Sequence, residues 1–293
     1  MLRFAPSPTG DMHIEHLRAA ILNYMVAKEK DVNFIIRIED MDKERNITGK
    51  DTEIMDILEK FALPHDSVSH QSENLHIHQM LAIRLLEEKK AFICTCTPEQ
   101  IEADKKKAQE HNETYSYSGR CTYIGKEELQ NLKEEKTPFV VRIKTPDAPI
   151  ITHDLIRGDI QTAPNEVDSF VILKEDSTPS ADFASACDDM ISGVTLIIHS
   201  EENLPHMAKQ EYIKRLLGYE YKTEYVHLPS ILDKEGEKMN MDDGASSLKW
   251  LFEQGFIPDA IANYLILLGN ETPTEIFTMP EACLLYTSPS PRD

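Results

Sequence analysis

Apolar residues in the first forty positions follow two different periods. LRFAP, at the amino end, has the pattern of a short strand. After the turn SPTGD, the run HIEHLRAAILNYMVAKEK puts Ile14, Leu17, Ile21, Leu22, Met25 and Val26 on one helical face. The nearly continuous apolar run of DVNFIIRIED then suits a parallel strand covered on both sides. Strand, turn, helix and strand in this order predict a βαβ unit. Helices are predicted over 51–61 and 76–90.

The texture changes between 91 and 179. A cysteine pair precedes a charged helix, PEQIEADKKKAQEH, and short strands such as FVVRIK and DSFVILK are separated by Pro, Asp and Gly. An inserted α+β subdomain is expected there. The α/β pattern resumes at GVTLIIHSEE, a buried strand with a polar end, followed by the helix MAKQEYIKRLLGY and the segment YVHLPSILD. SSLKWLFEQGFIPDAIANYLILLGN predicts two helices around Gly255 and Pro258. The expected fold class is α/β, a Rossmann-like doubly wound parallel sheet with the α+β subdomain inserted. The halves of the nucleotide fold fall at 1–90 and 181–232, the insertion at 91–180, and a loop-and-helix connective region at 233–283. Residues 284–293 have the Ser/Pro-rich look of a scar or an exposed tail.

Composition narrows the class. At 293 residues with 41% hydrophobic content the chain is long enough to bury a substantial core. No apolar run reaches membrane-spanning length and the amino end lacks signal-peptide character, so a cytoplasmic, non-membrane protein is expected, as a monomer. Five scattered cysteines agree with a reducing compartment. A formal net charge of −20 argues against a general nucleic-acid binder, though not against a local basic groove.

Two stretches carry candidate chemistry. Ser-Pro-Thr-Gly ahead of a helix, with His13 and His16 at its mouth, sets backbone N–H groups and two imidazoles where an anion would sit; two merely solvated histidines are the alternative. DKEGEKMNMDDGASS opens like a nucleotide-binding loop at Lys238 and Met239. It then has Met241 and Asp242 where such a loop would keep positive charge.

RFAPSPTG followed by HI-x-H resembles the signature of class I aminoacyl-tRNA synthetases, and with RIEDMDKER downstream the chain resembles their glutamyl-tRNA synthetase branch. HDLIRGDI resembles a family loop in the inserted subdomain, DSFVILKEDSTP the strand returning to the nucleotide fold, and ASSLKWLFEQGFIPDAIANYLILLG the helices after the phosphate loop. The likeness runs from residue 1 to about 283. It implies activation of L-glutamate by ATP with Mg2+, followed by transfer to tRNA-Glu. Arg3 would hold the substrate's side-chain carboxylate, with Ser7 and Glu39 at its α end and Glu39 on the ammonium. His13 and His16 would contact the ATP phosphates, and Lys238 would lie in the loop that closes on them. Cys94-x-Cys96 and Tyr117-x-x-x-Cys121 resemble the family's structural zinc site, with Tyr117 as fourth ligand and Tyr123 as its competitor. Family members continue into a helical anticodon-binding region, so the resemblance implies a sequence cut short before it.

The departures fall on these motifs. Glu15 stands where the family has glycine, bringing bulk and negative charge beside the phosphates. Ala181 replaces a tyrosine that would contact glutamate. His199 replaces an arginine, and a neutral imidazole cannot reproduce a bidentate fork. Met241 and Asp242 replace a lysine and an arginine. Losing one donor to a developing oxyanion typically costs about 10²- to 10³-fold in rate. Impaired activation is therefore expected. A catalytically silent relative that binds tRNA or a protein is the alternative from another class. A further one is an enzyme like the short relatives that glutamylate a modified base, glutamyl-queuosine tRNA-Asp synthetase.

Overall fold

The computed structural model describes residues 1–293 except 136, 240–243, 271, 273 and 288–293. Two of the altered motif positions, Met241 and Asp242, thus lie outside the described residues.

The chain opens with β1 (Leu2–Phe4), α1 (Ile14–Glu29) and β2 (Phe34–Ile38), then α2 (Lys50–Lys60) and β3 (Ser67–His70). The three strands form a parallel sheet in the order β1-β2-β3, with Leu2 opposite Phe34 and Ile35 opposite Ser67. Every residue of β1 and β2 is buried, Arg3 and Arg37 included, as strands covered on both sides require. Helix α1 is buried on more than one face: Ala19, Ala20, Asn23 and Ala27 are enclosed along with Ile14, Leu17, Ile21 and Met25. The sheet covers one side of the helix and carboxy-terminal helices cover another, and only small residues admit both neighbours. Asn23 offsets the cost of its burial with hydrogen bonds from Nδ2 to the carbonyls of Ala19 (2.8 Å) and Ile198 (3.0 Å).

Next come α3 (Leu75–Glu87), β4 (Ala91–Cys94), α4 (Pro98–Glu110), α5 (Lys126–Glu134) and β5 (Val140–Ile143). The hairpin β6 (Ile150–Asp154) and β7 (Gly158–Thr162), the short α6 (Pro164–Val167) and β8 (Val171–Leu173) follow. Strands β4, β5 and β8 form a small antiparallel sheet. Helix α4 starts on Thr97, whose hydroxyl accepts the Gln100 N–H while Gln100 Oε1 accepts the Thr97 N–H. The hairpin, in the segment expected within the insertion, joins a different sheet.

That sheet is completed by α7 (Ala181–Ser192), β9 (Leu196–Ser200), α8 (Leu204–Leu216) and β10 (Glu224–Leu228), in the order β7-β6-β10-β9. β10 runs parallel to β9, with His227 opposite His199, and touches β6 where Tyr225 faces Asp154. The β1-β2-β3 sheet and the four-stranded sheet meet where β1 lies alongside β9, the point at which strand order reverses; in doubly wound sheets ligands bind in the crevice there. α9 (Leu248–Glu253), α10 (Pro258–Leu267) and α11 (Met279–Thr287) close the chain, the last two packing on α1. Among the described residues no helix is long and apolar enough to cross a membrane.

No helix is predicted from the sequence at 181–192, yet α7 is central. It buries Phe183, Ala184, Ala186 and Cys187 together with Ser185, Asp188 and Asp189, so its inward face is half polar. A buried carboxylate is tolerated only when its acceptors are filled. Asp188 receives Gln71 Nε2 (2.9 Å), Asn74 Nδ2 (2.9 Å) and His78 Nε2 (2.8 Å). The helix ends on Gly193 at φ +68°.

Candidate active site

Arg3 leaves the middle of β1 and is almost enclosed, at 5% exposure. Its Nε and Nη2 grip both carboxylate oxygens of Asp189, at 3.0 and 3.2 Å, and Arg37 Nη1 meets the same carboxylate at 2.6 Å. Burial opposes the charge on Asp189, but Arg3, Arg37 and Lys214 outweigh it and hold the carboxyl well below the usual carboxylate range. Arg37 Nη2 also reaches Glu39 Oε1 at 3.0 Å, and the Ser185 hydroxyl donates to that oxygen at 2.6 Å. Glu39 is fixed by its backbone as well, since its N–H donates to the Pro6 carbonyl at 2.9 Å. The first strand, the second strand and α7 are thereby locked into one polar network.

Above this network opens a cleft of about 550 Å³, lined by Arg3, Ser7, His13, Glu15, His16, Glu39, Ala181 and His199 among others. Eight residues singled out from the sequence, spread over nearly 200 positions, share one cavity. Lys238 is not in its lining. It stands at the rim, where its Nζ pairs with Glu202, a residue of the lining. That hydrogen bond raises the Lys238 pKa, with Glu15 and Glu201 adding to it.

The mouth of α1 forms one wall. The His13 N–H donates to His16 Nδ1 over a long 3.5 Å, which leaves Nε2 of His16 to carry the ring proton. The His16 side chain is open to the cleft, yet desolvation by the protein around it, helped by the nearby His13, lowers its pKa to about 4, so it is a neutral donor at pH 7. His13 Nδ1 lies 3.2 Å from Ser246 Oγ, and Leu248 N–H donates to the Met12 carbonyl, tying the segment after the loop back to the helix start. The Glu15 carboxylate lines the cleft but is aimed at the segment that follows β10: its Oε1 accepts the Ile231 N–H at 2.9 Å.

His199 also lines the cleft. Its ring stacks on His227 at 5.3 Å, and Nε2 is enclosed without a hydrogen-bond partner among the described residues. Burial and the Arg3 charge hold it well below the ordinary histidine value, so it presents a neutral ring. His227 is anchored in turn, with Nδ1 2.7 Å from Asp154. Of the described lysines and arginines only Arg3 lines the cleft, against the carboxylates of Asp11, Glu15, Glu39, Asp182 and Glu202.

Sequence reasoning missed Asp189, Ser185, and the cleft-lining set Asp182, His206 and Gln210. Asp182 Oδ1 lies 2.8 Å from His206 Nδ1, and this bond raises the His206 pKa. The adjacent acids of CDDM, on a stretch otherwise apolar, were the available signal: two carboxylates facing a core must have cationic or amide partners.

A second cluster lies apart, between β4 and the loop before α5. The Sγ atoms of Cys94, Cys96 and Cys121 all fall within 4.8 Å of one another, Cys96 and Cys121 at 3.6 Å. The Tyr117 hydroxyl is 3.3 Å from Cys94 Sγ and 3.4 Å from Cys96 Sγ. Its competitor Tyr123 is 90% exposed. Burial is countered at Cys94 by hydrogen bonds from Tyr117, Cys96 and Arg142, which lower its pKa, whereas burial lifts Cys96 to about 11.

Known proteins resemble this chain over nearly its whole length. The family described as tRNA synthetases class I (E and Q), catalytic domain, matches residues 1–285. Glutamate–tRNA ligase 2 of Sulfurovum sp. (strain NBC37-1) is 65% identical over 282 residues, 96% of this chain and 64% of that protein. Glutamate–tRNA ligase 1 of a Nitratiruptor species is 54% identical over 282 residues, 96% of this chain and 65% of that protein. The crystal structure of a glutamate tRNA ligase from Elizabethkingia meningosepticum, in complex with its amino acid, superposes with a TM-score of 0.88 at 31% identity. It covers 96% of this chain and 63% of that one. The chain thus spans just under two thirds of the length of these relatives. With its motifs gathered around one cleft at the strand-order reversal, it belongs to the class I tRNA synthetases of the E and Q group, matching their catalytic domain.

Proposed function

We propose that this chain is the catalytic part of a glutamate–tRNA ligase, activating glutamate with ATP for transfer to tRNA-Glu, with catalysis weakened by its altered motifs. The convergence of Arg3, Ser7, Glu39, His13, His16 and His199 on one cleft carries this reading. Activation joins the glutamate α-carboxylate to the α-phosphorus and releases pyrophosphate, so the protein's task is positioning and charge stabilisation. Glu39 would take the substrate ammonium, its Oε1 pre-set by Arg37 and Ser185. Arg3, held in place by Asp189, would face the side-chain carboxylate with the part of its guanidinium outside that pair. The first-turn N–H groups of α1 and Nε2 of His16 would donate to phosphate oxygens, and Lys238 would have to leave Glu202 to join them.

Among the described residues the cleft offers no three clustered ligands able to hold a metal, so Mg2+ would enter on the ATP phosphates. The thiol cluster does suit zinc: a tetrahedral ion with Zn–S bonds of about 2.3 Å spaces its sulfurs roughly 3.8 Å apart. Cys94, Cys96 and Cys121 would be ligands with Tyr117 as the fourth, and the ion would fasten β4 to the Tyr117 loop as structural metal.

A silent relative is the second reading, favoured by the cleft's excess of carboxylates and by the neutral His199. Calorimetric titration with a non-hydrolysable glutamyl-adenylate analogue separates the two. Binding at micromolar Kd or tighter supports the ligase. No binding by folded protein, with binding regained on Glu15→Gly, Ala181→Tyr, His199→Arg and Met241→Lys, supports the retained scaffold. No binding even then would refute the site.

A further inference from the structure

Tyr117 meets the thiols from a loop, and a loop alone does not fix a hydroxyl to within a bond length. The fixing comes from a residue 51 positions later. Both oxygens of the Asp168 carboxylate are used on this loop: Oδ1 accepts the Ser116 hydroxyl and Oδ2 the Tyr117 N–H, each at 2.9 Å. The ring is held from the small sheet, with the Arg142 guanidinium 4.5 Å from its centre and Phe92 stacked at 5.8 Å. Arg142 is itself anchored through Nη1 on the Ser169 carbonyl at 2.8 Å, next to Asp168. Held this way, the Tyr117 hydroxyl faces Cys94 and Cys96 and accepts the Cys121 N–H at 3.3 Å.

Asp168 occupies an unusual backbone state. It follows α6 at φ +57°, ψ −174°, close to a region that is essentially glycine's own. Glycine would sit there without strain, but glycine has no carboxylate. A turn needing only a chain reversal has no use for an aspartate at this position; a turn that must grip Ser116 and Tyr117 does.

We propose that Asp168 is a positioning residue for the cysteine cage. Its carboxylate sets the Tyr117 loop so that the hydroxyl closes the Cys94, Cys96 and Cys121 cluster as fourth donor to a tetrahedral divalent ion. The inference rests on the zinc reading above. Groups that orient metal ligands commonly contribute about 10- to 100-fold to metal affinity.

The test uses the full chain and zinc itself, competed against a chromophoric chelator, with the cobalt-substituted protein's d–d absorption as a second readout. Asp168→Gly should weaken zinc binding by about 10- to 100-fold and dim the tetrahedral cobalt bands. The metal-free protein should change little in stability, the relieved backbone strain offsetting the two lost hydrogen bonds. Asp168→Asn, which keeps one acceptor oxygen, should fall between. Tyr117→Phe should weaken zinc too, and adding Asp168→Gly to it should cost little more, since the two act through one hydroxyl. Zinc affinity and cobalt spectrum unchanged in the glycine variant would overturn the proposal, as would full additivity with Tyr117→Phe. If the glycine variant does not fold, unchanged affinity in Asp168→Asn overturns it equally. Failure of the unaltered, folded chain to bind zinc would remove the zinc reading itself, and the inference with it.

Discussion

Replacing Asp189 by asparagine keeps the shape of the side chain and removes one charge from the centre of the polar network. Arg3, Arg37 and Lys214 are 5%, 2% and 1% exposed, and Asp189 is the carboxylate that Arg3 and Arg37 share. Each ion pair at about 4 Å between charge centres is worth roughly 4 kcal/mol at an effective dielectric constant near 20. Desolvation offsets most of that, and the net penalty for breaking a buried pair is about 3–5 kcal/mol. For a chain of this size about 2–4 °C of midpoint follows each kcal/mol, so Asp189→Asn should lower the melting temperature by roughly 6–20 °C. Differential scanning calorimetry at pH 7 measures it, and Asp42→Asn, which breaks an exposed pair with Arg45, should leave the midpoint in place. A drop below about 2 °C would refute the view that the Asp189 charge stabilises the buried arginines that share it. The pH dependence adds a check. The folded pKa is depressed, so the contribution is complete above the unfolded value of about 3.9 and is lost as pH falls through the folded value.

Other outcomes are open to measurement. His16, lowered to about 4, should resist protonation while the unfolded chain takes up a proton near 6.5; stability then declines as pH falls between those values, and the His16 Cε1 proton should show an NMR titration midpoint near 4. His206 behaves oppositely: its raised pKa makes the bond to Asp182 favourable below the ordinary histidine value of about 6.5 and lost as pH rises through the folded one, so His206→Gln should remove that loss of stability on raising the pH. Glu15→Gly should remove the acceptor of the Ile231 N–H, losing about 0.5–1.5 kcal/mol of stability, yet tighten ATP binding; weaker ATP binding would mean the carboxylate does not oppose the phosphates.

Much of this protein was settled by local pattern. The apolar run of β2, the period of α1 and the Ser-Pro-Thr-Gly turn specify a βαβ unit by themselves, because strand and helix periodicities are properties of short segments. The motif strings likewise marked Arg3, His13, His16, Glu39 and His199 before any fold was known. Helix α7 stayed hidden because its buried face carries Ser185, Asp188 and Asp189, whose partners lie over 100 residues away in sequence, and no periodicity reports a partner. The hairpin β6–β7 joined the β10 sheet because the Asp154 carboxylate accepts both the backbone N–H and, at Nδ1, the ring of His227, a choice invisible in HDLIRGDI. Only the tertiary structure turned the Glu15 carboxylate onto the Ile231 N–H, paired Lys238 with Glu202, and set Tyr117, rather than Tyr123, against the thiols. Sequence fixes which groups are available; which of them meet is decided by burial, since a polar atom taken out of water must find its partner wherever the fold brings one.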